Sequence, residues 1–178
     1  MKNLFEFKPT EQEEIMLPKE IIEYQCNELA AMTNQLILGK VNEYDEPISN
    51  YMTIGLDGIS RSLSESFKSQ SVDVQSKLGE LQKSEFTYEF FLTSKYMPNF
   101  MYRILFIRYG ISVYPVRVVL DETIANQIGV LCDSQYSDEE EFMTLLSLIL
   151  NSEKIKKVIG DLFNVNIKLS RQEKIESD

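Results

Sequence analysis

The alternation of side chains over residues 86–120 constrains this chain more than any other feature. Phe86, Tyr88, Phe90 and Leu92 are interleaved with Thr87, Glu89, Phe91 and Thr93. Successive residues of a strand point to opposite faces, so this run predicts a strand with one strongly apolar face. Pro98-Asn99 marks a turn after it. Residues 101–109 and 112–120 predict a second and a third strand. Gly110-Ile111 between them suits a two-residue hairpin with glycine first.

That turn sets a register, and the register sorts the faces. Tyr109 would oppose Ser112, Ile107 would oppose Tyr114, Leu105 would oppose Val116 and Arg103 would oppose Val118. This largely apolar set is expected to face the core. The other face then carries Tyr102, Ile104, Phe106, Arg108, Val113, Pro115, Arg117 and Val119. It mixes aromatic rings with two arginines.

Flanking segments carry the helical period. Pro18 suits a first helical position, where its missing N–H costs nothing. Ile22, Cys26, Leu29, Thr33 and Leu36 recur at helical spacing behind it and predict a helix over about residues 18–35. Residues 36–44 could extend that helix but read better as a short strand, with Gly39 compatible with either. Asp121 can cap a short helix ending at Gly129. Ser137 with Glu140 forms a capping box ahead of Phe142, Leu145, Leu146 and Ile149. Met143, Leu148 and Leu150 make that helix apolar nearly all round. It should lie between the sheet and another helix, or form a homodimer contact. Ser152 can cap a further helix with Ile155, Val158, Ile159 and Leu162, and residues 168–178 read as a frayed tail. Residues 48–85, with seven serines between Ser60 and Ser76, fit a helix or a strand equally poorly, and read as a helical or mobile insertion.

The expected fold is α+β: one domain over 1–178, an antiparallel meander of three to four strands, with helices packed on one face. A chain of 178 residues is long enough to bury a sizeable core. Cys26 and Cys132 have no metal or redox spacing and read as free thiols in a reducing, cytoplasmic compartment; a Cys26–Cys132 disulfide is the alternative. No window suggests a membrane span, and the start of the chain lacks the pattern of a signal peptide.

Charge narrows the function. The formal charge is −10, which disfavours nucleic acid and anionic membrane as partners. It is unevenly spread. Residues 86–120 carry one acid and four bases, whereas residues 121–150 carry seven acids and no base. The sheet is therefore locally basic inside an acidic chain. There is no histidine, so the commonest general base, the commonest zinc ligand and every serine–histidine or cysteine–histidine arrangement are absent.

Other motifs fall short of chemistry. Asp138, Glu139, Glu140 and Glu141 are consecutive, and helical neighbours point about 100° apart, so they cannot converge on one ion. They complement the helix dipole instead. Asp57-Gly58 reads as a tight turn without the further acids of a calcium loop. The glycines are scattered singly, with no phosphate-cradling pattern. No cofactor and no metal is expected, and the chain reads as non-catalytic.

The leading expectation is an acidic binding protein (an inhibitor, immunity-type factor, adaptor or chaperone) whose partner is another, basic protein. The alternative is a small-ligand or nucleic-acid-binding domain using Arg108, Arg117, Tyr102 and Phe106 on the sheet. In a purely structural role those arginines would instead pair with acids from flanking helices.

Overall fold

The computed structural model describes residues 15–45, 48 and 85–176. Helix α1 spans Pro18–Met32 and leads into strand β1, Ile37–Glu43. Strands β2 (Phe86–Ser94), β3 (Tyr102–Tyr109) and β4 (Val116–Leu120) follow. Helix α2 (Glu122–Ile128) connects to strand β5 (Asp133–Tyr136), and helices α3 (Glu139–Leu150) and α4 (Glu153–Glu176) complete the chain. These elements belong to a unit of residues 1–43 and 85–178, with residues 44–84 inserted in sequence. The reading of residues 48–85 as a helical or mobile insertion falls almost wholly outside the described residues.

The fold is α+β with an antiparallel sheet. The sheet has five strands in the order β1-β2-β3-β4-β5, rather than three or four. The fifth strand, Asp133-Ser-Gln-Tyr136, is short and polar and lies at an edge, where it needs no apolar alternation. The helices are also less uniform than one layer on one face. Helix α1 packs on β1, and α3 contacts α1, β5 and α4. Helix α2 finds its principal neighbours in α3 and α4 rather than in a strand.

The β3–β4 connection is longer than a two-residue turn. It runs over residues 110–115, because Pro115 has no N–H to offer a ladder and Val113 turns into the left-handed region at φ 66°. Ile107 therefore faces Val118, not Tyr114, and Leu105 faces Leu120, not Val116. The slip is four residues. An even slip leaves every side chain of β4 on its expected face, and Leu105, Ile107, Tyr109, Val116, Val118 and Leu120 are all buried in the core.

A bulge changes the other end of β3. The β2–β3 register shifts between Phe90 and Phe91, so that Phe90 faces Leu105 while Phe91 faces Arg103. One extra residue, Ile104, is accommodated on β3 and inverts the faces beyond it. Arg103 thus joins Glu89 on the outer face, with its Nε donating to Glu89 Oε2 at 2.5 Å. Tyr102 moves to the core side, opposite Leu92.

Helix ends follow local chemistry. The Leu17 N–H donates to the Glu20 carboxylate at the start of α1, and Asp121 Oδ1 accepts from the Thr123 and Ile124 amides of α2. The cap of α3 is Asp138, one residue beyond the expected Ser137: Asp138 Oδ1 accepts from the Glu141 N–H, and Glu141 Oε2 accepts from the Ser137 N–H. Asp138 and Glu141 thus act one position later than the expected Ser137 and Glu140, and the Glu141 carboxylate takes the amide before the cap rather than the cap's own. Residues 168–176 belong to α4. Buried Asn166 ties α4 to the end of β2 by accepting from the Ser94 hydroxyl at 2.6 Å.

Both cysteines are free, so the disulfide alternative falls. Cys26 is buried on α1 against β1. Burial pushes its thiol up to about 12, with Glu23 adding to the effect. The thiolate is the reactive form. A thiol reagent at pH near 8 is therefore expected to modify half-buried Cys132 in the native protein and Cys26 only after unfolding in denaturant. Fast native labelling of Cys26 would contradict its placement.

Candidate functional site

Three of the four residues singled out on the sheet share its outer face. Phe106 lies opposite Glu89 and Val119, and Arg108 lies directly opposite Arg117. Like charges opposed across neighbouring strands repel. The fold answers with acids on both sides. Arg117 donates through Nε to Asp133 Oδ1 at 2.6 Å and through its terminal nitrogen to Asp133 Oδ2. This fork-to-fork geometry is the strong form of the pair. It raises the Arg117 guanidinium further, with Glu85 contributing at longer range. Arg108 reaches Glu85 at 3.6 Å and donates to Thr87 Oγ1 at 3.3 Å. The outer face thus carries a row of alternating charge, Glu89–Arg103 and Glu85–Arg108 beside Asp133–Arg117.

Tyr102 is not part of that row. It packs against the core from the other face. Its hydroxyl lies beside the Lys154 ammonium, which donates to Asp121 Oδ1 at 2.6 Å. Burial raises the Tyr102 phenol above its ordinary value. The Asp121 carboxyl stays low because the Lys154 and amide hydrogen bonds outweigh the opposing effect of its burial. The three side chains join the start of β3, the end of β4 and the start of α4.

Replacing Arg108 and Arg117 together by alanine should therefore lower stability, by roughly 1–2 kcal/mol, since exposed pairs contribute little and the forked Asp133 pair somewhat more. A thermal melt checks it. An unchanged melting temperature would remove the structural role from both side chains.

A second surface lies at the far edge of the sheet. β5 and α3 enclose an open groove of about 690 Å³ lined by Val130, Gln135, Tyr136, Asp138, Glu140, Glu141, Thr144, Leu145 and Leu148. Its α3 wall follows from helical spacing: Glu140, Thr144 and Leu148 stack at intervals of four on one side, with Glu141 and Leu145 beside them. The groove consequently has two ends. The first turn of α3 makes one acidic, and Val130 with Leu148 makes the other apolar. Leu148 is 47% exposed.

Charge is settled differently on the two surfaces. Each sheet arginine has a carboxylate partner. Asp138, Glu139, Glu140 and Glu141 have no cation within ion-pair distance among the described residues. Burial pushes the neighbouring Tyr114 phenol up to about 12, with Glu139 and Asp138 adding to the effect. No family model, no curated protein and no solved structure matches the chain.

Two signals for the groove were present in the sequence. One was the acidic helix start, and the other was a helix apolar on more sides than one layer covers. What hid the groove was β5, whose polar sequence gives no strand signal. Among the described residues no group of three cysteine, aspartate or glutamate side chains is placed to hold a metal ion, and no helix is long and apolar enough to cross a membrane.

Proposed function

We propose that the chain is a non-catalytic binding protein that acts by protein–protein contact, and that its partner brings a basic surface to the β5–α3 groove. The observation that carries this reading is the groove itself, an open surface with carboxylates that have no cation partner among the described residues at one end and exposed Leu148 at the other. Charge of one sign steers an oppositely charged partner and sets specificity, while apolar area at the contact supplies affinity. The net charge of −10 adds a long-range attraction for a basic partner. The outer sheet face supports a ligand less well, because Arg108 and Arg117 already hold acids of this chain.

The test compares the wild-type chain with Glu140→Lys/Glu141→Gln. Glutamine keeps an acceptor for the Ser137 N–H, so the cap survives. Both proteins are immobilised and used to capture partners from the source organism's lysate. A basic protein should be retained by the wild type, released by salt as screening shortens the reach of the charges, and held about tenfold or more weakly by the variant. Equal retention by both would contradict the reading.

A further inference from the structure

The partner segment that fits the groove is an extended strand, and the backbone of β5 supplies the reason. The Leu120 N–H donates to the Cys132 carbonyl. Hydrogen-bonded and non-hydrogen-bonded pairs alternate along an antiparallel ladder. Continuing the register, Ser134 faces Val118 and Tyr136 faces Val116 as hydrogen-bonded pairs, whereas Gln135 faces Arg117 as a non-hydrogen-bonded one. The Gln135 N–H and C=O therefore point away from β4, along the edge that the groove borders. Among the described residues β5 pairs with β4 alone, and Gln135 is exposed.

Resting on the reading of the groove as a docking surface, we propose that it takes a short extended segment of the partner as a sixth strand beside β5, under the wall of α3. Outward backbone groups at a sheet edge, next to a helix that covers one side of the added strand, provide main-chain affinity and side-chain selection together. The wall dictates the sequence of the segment. α3 runs from acidic Glu140 and Glu141 to apolar Leu145 and Leu148, and only Ser137 and Asp138 separate Tyr136 from its start, so the end of β5 lies at the carboxylates. A segment pairing antiparallel to β5 starts beside Tyr136. It begins on the carboxylates and ends on Leu148 and Val130. It is basic in its first half and apolar in its second.

The probe is a capped eight-residue peptide with two lysines in its first half and two valines in its second, spaced by threonines. Two isomers carry N-methyl groups on alternate amides, one on each phase of the strand. Fluorescence anisotropy reads binding to the full chain. The unmethylated peptide should bind. One isomer should bind at least tenfold more weakly and the other about equally, because only one edge of an added strand pairs with β5. Equal affinity of the two isomers, at any level, overturns strand addition while leaving the acidic docking surface standing. No binding of the unmethylated peptide at millimolar concentration, or binding unchanged by Glu140→Lys, overturns the docking surface itself. Binding that appears only as a dimer of the chain dissociates overturns the proposal in favour of a second copy as the occupant.

Discussion

Phe90→Ala should lower the stability of the protein by about 3–5 kcal/mol, the range for removing a large buried aromatic side chain. Phe90 sits at the centre of β2, opposite Val41 on one side and Leu105 on the other, and is 2% exposed. Both neighbouring strands hold their backbones in place around it. The cavity left by the ring cannot collapse easily, so the cost should lie toward the upper end of that range. Urea denaturation checks this through the shift in midpoint at constant slope. An unchanged midpoint would show that the inner face of β2 is assigned wrongly.

Gly39→Ala should be nearly as disruptive, for the opposite reason. A Cβ at Gly39 would lie 2.5 Å from Cys26 Sγ, 2.9 Å from Cys26 Cβ and 3.2 Å from Cys26 Cα. A rotamer change relieves only the first of these contacts. The other two belong to the helix itself, so α1 would have to retreat from β1. Overpacking of this kind costs about 1–3 kcal/mol, and the backbone contact puts Gly39→Ala at the upper end. Adding Cys26→Ala should restore only part of the loss, since it removes Sγ and leaves Cβ. Full recovery in the double variant, measured by thermal melts, would show that the sulfur alone sets the approach of α1.

Much of the fold was legible in local pattern. Phe86–Ser94 alternates because both faces of β2 are occupied differently, and Pro18, Asp121 and Gly129 mark helix ends by chemistry that tertiary contacts do not override. The faces of β4 were readable even though the turn was not. Parity survives an even slip, and Arg108 and Arg117 remain together although their strands pair four residues away from the expected register. The bulge at Ile104 was not legible. Its apolar side chain fits the alternation of the strand, and only the partner strand shows that a residue is extra. That one insertion separates Tyr102 from Phe106, Arg108 and Arg117. Edge strand β5 was hidden for a different reason, since a polar segment at a sheet edge looks like the loops around it. The candidate groove depends on β5 and was therefore out of reach, although the acids of α3 and the apolar excess of Leu148 had both been visible.

Backbone amide shifts of the labelled protein, titrated with the lysine–valine peptide, distinguish binding in the β5–α3 groove from binding on the arginine face. Shifts are expected to concentrate at Gln135, Tyr136 and along α3 from Glu140 to Leu148, and to weaken as salt is added. Shifts concentrated instead at Thr87, Phe106, Arg108 and Arg117 would contradict groove binding and assign the binding surface to the outer face of the sheet.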